Sequence, residues 1–216
     1  MSLYAAAHST GKYGYLIKEV ARDIWKKGIN IEDVTKQIVY IGNHSLFIVF
    51  ITNIFTGMVL ALQTAHGLER FGAKLYVGNI VSLALVRELA PALTAIMLCG
   101  RVGAGIAAEI ASMVVTEQVD AIKALGANPI RKLVSPRIIA AIIVLPTMTV
   151  FADFIGVIGG GLVAVLELGI SSHIYYRSVE NFVMIRDVVE GLIKATCFVS
   201  FCSYGLLQGF KRQRRN

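Results

Sequence analysis

Apolar residues fill most of this chain in long blocks, and the polar residues between them gather into a few short, mainly basic clusters. The block from Leu46 to Ala65 carries no charge, and Asn53 and Gln63 are its strongest polar groups. Its length suits a helix that crosses roughly 30 Å of hydrocarbon. A second block, Gly78 to Val115, is too long for one upright span, so it either tilts and projects or bends at Pro91 and its glycines. A third, Ile138 to Leu168, holds Pro146, Asp153, Gly159, Gly160, Gly161 and Glu167, and fits one long kinked span or a tight hairpin.

Ahead of the first block the pattern changes. From Lys12 to Lys27, Tyr13, Leu16, Ile17, Val20, Ile24 and Trp25 recur at helical spacing among Lys12, Lys18, Arg22, Lys26 and Lys27. Such a stripe predicts an amphipathic helix on a membrane surface, although a soluble helix packed on a partner has the same periodicity. Gly28 breaks it, and Ile31, Val34, Ile38 and Ile41 resume the pattern, giving an interfacial region over residues 12–41. Met1 to Gly11 lacks the basic and apolar regions of a cleavable signal, so no export signal is expected.

Charge bias decides the topology. Basic residues cluster before Leu46, between Lys123 and Arg137, and at Lys211, Arg212, Arg214 and Arg215, which should therefore share the cytoplasmic side. Four spans satisfy this, at 46–65, 78–113, 137–168 and 186–208, with both termini cytoplasmic. Gly169 to Ile185, with Tyr175 and Tyr176, then forms an interfacial loop or short helix on the far side. The expected fold is an all-α integral membrane protein with an N-terminal amphipathic helix and four transmembrane helices.

Composition agrees: 56% of residues are hydrophobic and 16% charged, against about 25% charged in soluble domains, and mean hydropathy is +0.66. A net charge of +7 is also found in nucleic-acid binders, but in a membrane chain it points to cytoplasmic loops and anionic headgroups. Cys99, Cys197 and Cys202 lie in apolar runs without zinc-type spacing and read as packing residues.

Between the second and third spans lies a polar island, Thr116 to Gly126. Val119, Ile122 and Leu125 fall on one face of a short helix, Glu117, Asp120 and Lys123 point elsewhere, and Gly126 and Pro129 end it. By itself such an island is an ordinary solvated loop. Within the spans, an ionised side chain costs roughly 2.5–3.5 kcal/mol at a helix centre and so needs a partner or a polar cavity. Arg87 and Glu88 point about 100° apart on a regular helix and should serve different partners. Glu190 and Lys194, four apart, can pair within their own helix. Structural ion pairing and a transport role fit each of these charges equally well.

No nucleotide site is visible. Gly100, Gly103 and Gly105 lie in an apolar segment without the G-x-x-x-x-G-K-[ST] pattern, and neither H-E-x-x-H nor G-x-S-x-G occurs.

The wording GRVGAGIAAEIASMVVTEQVDAIKALGANPIRKLVSPR closely resembles the signature of the MlaE/YrbE permease family, membrane subunits of ABC systems that move lipids with MCE proteins. ALQT at Ala61 to Thr64, RELAP at Arg87 to Pro91 and GLIKA at Gly191 to Ala195 extend the likeness over most of the chain after about residue 45. The resemblance implies a permease subunit that moves phospholipid between bacterial inner and outer membranes and contributes to outer-membrane lipid homeostasis. It places the chain in the inner membrane as one of two copies around a lipid cavity. It makes Arg87 and Glu88 the leading cavity candidates, followed by Asp153 and Lys194. Residues 116–129 become a coupling helix that meets a cytoplasmic ABC ATPase through Glu117, Gln118 and Asp120 (polar) and Val119, Ile122 and Leu125 (apolar).

No cofactor is expected on this chain, since ATP would be used by the ATPase. The other partners implied are an MCE-domain protein and a small cytoplasmic STAS-type subunit; nucleic acid is not one. Family members continue into a fifth membrane helix, whereas this sequence stops at GFKRQRRN, so helix faces that a fifth span covers are expected to be open. Two readings compete. A lipid-modifying membrane enzyme would turn over lipid without an ATPase, and a membrane scaffold would keep its partners after substitution of Asp120.

Overall fold

The computed structural model describes residues 31–126 and 135–198, and every regular element among them is helical. Helix α1 (Ile31–Glu69) has 39 residues, and a 3-10 turn (Lys74–Tyr76) leads into α2 (Val77–Ala84). A π-helical turn (Leu85–Leu89) joins α2 to α3 (Ala90–Val115). The short α4 (Gln118–Ala124), the long α5 (Ser135–Leu166) and the short α6 (Ser172–Phe182) follow. The chain is helical again over residues 185–198, here α7.

Three stretches are long and apolar enough to cross a membrane: Ile31–Glu69, Lys74–Gly105 and Ser135–Leu166. The first expected span lies within α1, and residues 31–41 of the expected interfacial region belong to the same helix. From residue 31 the chain continues into the span without a break, because between 31 and 46 only Gly42 weakens the helix and no proline interrupts it. At 1.5 Å per residue α1 is roughly 58 Å long, well beyond the hydrocarbon thickness. Residues 12–30 lie outside the described residues, as do 199–208 of the fourth expected span. The third block is a single helix with Pro146 inside it, not a hairpin.

α1 and α5 run parallel, packed along much of their lengths. Gly42 meets Met148, Gly57 meets Gly156 and Gly160, and Gly159 meets Ile54. A Cβ at Gly57 would stand 2.0 Å from the Gly156 carbonyl oxygen, and one at Gly159 2.3 Å from that of Ile54. Absent side chains let these backbones touch, as small residues do in lipid, where helix association depends on van der Waals packing. α3 and α7 form a second parallel pair: Gly191 sits against the Val86 carbonyl, and Ala95 and Ala195 share a buried cluster.

The core has two main parts. Near the α4 end, Ile41, Leu98, Val144, Leu145 and Met148 pack together; near the α6 end, Val77, Val81, Leu85, Ala164 and Ile170 surround Tyr175. Tyr175 is 1% exposed, abuts Gly78, Gly160 and Gly161, and donates its hydroxyl to the Val157 carbonyl at 3.2 Å. The segment expected as an interfacial loop or short helix is thus a helix anchored by one buried ring.

Candidate functional site

The site begins with a proline. Pro91 has no N–H to give the carbonyl one turn before it, that of Arg87, and a backbone carbonyl stranded in apolar surroundings is costly. Here the Lys194 ammonium donates to the Arg87 carbonyl at 2.9 Å. Just ahead of the proline the helix widens, and Ala90 N–H reaches back five residues to the Leu85 carbonyl. Such π turns re-aim side chains and often mark functional positions.

Two inter-helix ion pairs follow. Glu88 Oε1 accepts from Lys194 Nζ at 2.6 Å, and Arg87 Nε forms an ion pair with Glu190 Oε2 at 3.1 Å. Glu190 also accepts, through Oε1, from Arg186 Nε at 3.0 Å. Arg87 and Glu88 therefore do serve different partners, both on α7. The intrahelical Glu190–Lys194 pair expected from the sequence does not form. α7 lies close beside the π turn, where a Cβ at Gly191 would be 2.6 Å from the Val86 carbonyl, so each side chain finds an opposite charge across the interface.

An open groove of about 320 Å³ lies alongside, lined by Phe55, Thr56, Val59, Leu60 and Gln63 of α1 and by Leu89, the residue after Glu88. Its walls are apolar except for Thr56 and Gln63, and the Thr56 hydroxyl is spent on the Thr52 carbonyl at 2.7 Å. Apolar walls next to fixed charges suit an amphiphile with acyl chains and a charged head.

Asp153 is placed differently. It is buried, makes no ion pair among the described residues, and leaves Oδ1 without a hydrogen-bond partner. Its neighbours Ala152 and Gly156 face Val49 and Ala90 and the Leu85 side chain, so Asp153 lies at the seam of α1, α5 and the π turn.

The expected coupling residues gather at the opposite end from α6. Glu117 adopts φ 56°, a left-handed conformation that L side chains seldom take, and its carbonyl accepts from the N–H groups of Asp120 and Ala121 at 3.1 and 3.0 Å. The chain thereby turns sharply from α3 into α4, and Gly126 at φ 74° ends the excursion. Glu117, Gln118, Asp120 and Leu125 are exposed, Leu125 at 85%, while Ile122 is half-buried. The Val119 side chain and residues 127–129 lie outside what is described. Behind α4, Arg137 at the start of α5 is 4% exposed and bonds Glu109 of α3 at 2.6 Å. A cation at a helix N-terminus opposes the helix dipole, so this pairing offsets a local cost.

Sequence reasoning missed that Glu190 partners Arg87 of the π turn and that Arg186 shares the same carboxylate. The signal was present in the spacing of Arg186, Glu190 and Lys194, every fourth residue on one face of α7.

The family model described as "Permease MlaE" matches residues 34–215. A probable ABC transporter permease protein of Rickettsia typhi is 44% identical over 192 residues, covering 89% of this chain and 74% of the relative. A probable ABC transporter permease protein of Synechocystis is 39% identical over 197 residues, covering 89% and 75%. The intermembrane phospholipid transport system permease protein MlaE of Haemophilus influenzae is 36% identical over 166 residues, covering 76% and 64%.

Proposed function

This chain belongs to the MlaE permease family of ABC transporters, and from that premise we propose that its cargo is phospholipid. The observation that carries this reading is the groove of Phe55, Val59, Leu60 and Leu89 beside the charges of Arg87, Glu88, Glu190 and Lys194. Acyl chains lie against the groove and the headgroup meets the charges. The relative from Haemophilus influenzae, named for intermembrane phospholipid transport, supports the same cargo.

In this reading two copies of the chain, in a bacterial inner membrane with both termini in the cytoplasm, enclose the lipid path between them. α4 docks on a cytoplasmic ABC ATPase through Glu117, Gln118, Asp120, Ile122 and Leu125, with Val119 on the same helix. The ATPase hydrolyses ATP; this chain supplies no catalytic group and converts the movement of α4 into displacement of its spans. Asp153 and Lys194 contribute to the lipid path. An MCE-domain protein exchanges lipid at the α6 end, so that the system carries phospholipid between inner and outer membranes, and a STAS-type subunit attaches on the ATPase side.

Co-purification with the cognate ATPase tests the assignment. The intact chain should retain the ATPase, and Glu117→Lys and Asp120→Lys should release it. An intact chain that retains none, or charge reversals that leave retention unchanged, would refute the coupling role.

A further inference from the structure

Glu190 meets two arginines, one at each carboxylate oxygen. Arg87 Nε lies 3.1 Å from Oε2 and Arg186 Nε 3.0 Å from Oε1. Both guanidinium groups are thus brought to one carboxylate, yet each is engaged only through Nε among the described residues, leaving the terminal Nη nitrogens of both unused. Arg186 is 81% exposed and Arg87 43%. The three groups sum to one positive charge. α7 begins directly after α6, so Arg186 in its first turn stands near the α6 rim while Arg87 lies further in, beside the groove that Leu89 lines.

We infer that Arg87, Glu190 and Arg186 form an anion site whose ligand is the phosphate of a phospholipid headgroup. The inference rests on the phospholipid reading above and deepens it. Nη groups of arginine match phosphate oxygens in a two-point fork that a lysine cannot reproduce. Glu190 orients both forks and prevents the two guanidinium groups from repelling each other apart when no ligand is bound. The Arg186–Glu190 pair is a solvent-exposed pair one turn apart on a helix, a kind that contributes little to stability. Arg186 therefore adds little to stability through this pair and is free to exchange its carboxylate partner for phosphate. A lipid leaving the groove toward the α6 rim passes from Arg87 to Arg186 without its phosphate losing a cationic partner.

The full chain in maltoside micelles, with its ATPase bound, is titrated with dihexanoyl phosphatidylglycerol, phosphate-free dihexanoylglycerol and sodium phosphate, and binding is read by native mass spectrometry. Loss of one charge-assisted contact predicts about a tenfold weaker phosphatidylglycerol affinity in Arg186→Gln. Arg186→Lys should fall between the two, dihexanoylglycerol binding should be unchanged, and Arg177→Gln on α6 should match the unsubstituted chain. Unchanged phosphatidylglycerol affinity in Arg186→Gln, or equal loss of dihexanoylglycerol, overturns the site. Sodium phosphate that binds as tightly as the lipid would assign the site to a free anion and overturn the headgroup assignment. An unsubstituted chain that holds its ATPase but binds no phospholipid would instead bring down the phospholipid reading itself.

Discussion

Substituting Gly57 by alanine places a methyl group where the structure has no room. The added Cβ would lie 2.0 Å from the Gly156 carbonyl oxygen and 2.8 Å from its carbon. Ordinary contact begins near 3.4 Å, so α1 and α5 must separate locally by about 1.4 Å. The obstacle is backbone, which cannot rotate aside as a side chain can. Overpacking a tight interior by one methylene costs typically 1–3 kcal/mol, and a backbone obstacle puts this case at about 3 kcal/mol. Gly67→Ala is the control, because nothing lies within 4 Å of its added Cβ and alanine is the better helix former by up to ~1 kcal/mol. Equilibrium unfolding in mixed detergent micelles measures both. Gly57→Ala should unfold at markedly lower denaturant and Gly67→Ala at the same or higher. Equal stability of the two variants would refute backbone contact between α1 and α5.

Other outcomes follow from the same geometry. Tyr175→Phe loses only the hydrogen bond to the Val157 carbonyl and should cost ~1 kcal/mol in the same assay. Tyr175→Ala, which empties the notch beside Gly160 and Gly161, should cost about 3–5 kcal/mol. Lys194→Met leaves Glu88 and the Arg87 carbonyl without their ammonium partner, so lipid transfer by reconstituted transporter should drop at least tenfold while ATPase retention is unchanged. Exchanging the charges with Glu88→Lys and Lys194→Glu should recover part of that loss, and a swap no better than the single variant would argue against the pair. Glu117→Gly relieves a left-handed backbone that costs an L residue roughly 1–2 kcal/mol. It should raise the thermal midpoint of the isolated chain and still weaken ATPase retention.

Three long apolar helices and the polar island were legible in the sequence because both are written as local composition. Uncharged runs of helical length define spans, and Glu117 to Leu125 interrupts such runs with a helix of different chemistry. Resemblance supplied the leading residues Arg87 and Glu88, and spacing correctly sent them to different partners. The identity of those partners was not legible. Glu190 and Lys194 stand at the separation that favours pairing within one helix, and nothing local says that α7 lies parallel to the segment containing Val86 and Arg87. The π turn was hidden for a related reason. Pro91 announces a disturbed helix, but the answer to its missing N–H comes from Lys194, more than a hundred residues later. Gly57 and Gly156 are likewise unremarkable until the two helices are laid together. Between Ile41 and Leu46 a change of pattern suggested a boundary that the backbone ignores, since composition can change along a helix without interrupting its hydrogen bonds.

The parallel pairing of α1 with α5, and of α3 with α7, has a mechanical consequence. With backbone against backbone at Gly57 and Gly159, the first pair behaves as one beam; the second is riveted by the ammonium and guanidinium contacts of the π turn. The groove wall is divided between them, Phe55 to Gln63 on one beam and Leu89 on the other. Sliding one beam against the other would change the width of the groove while leaving the ion pairs of Arg87, Glu88, Glu190 and Lys194 closed. In the proposed function, grip on the acyl chains and grip on the head are then set by separate joints, and the two can be released at different times.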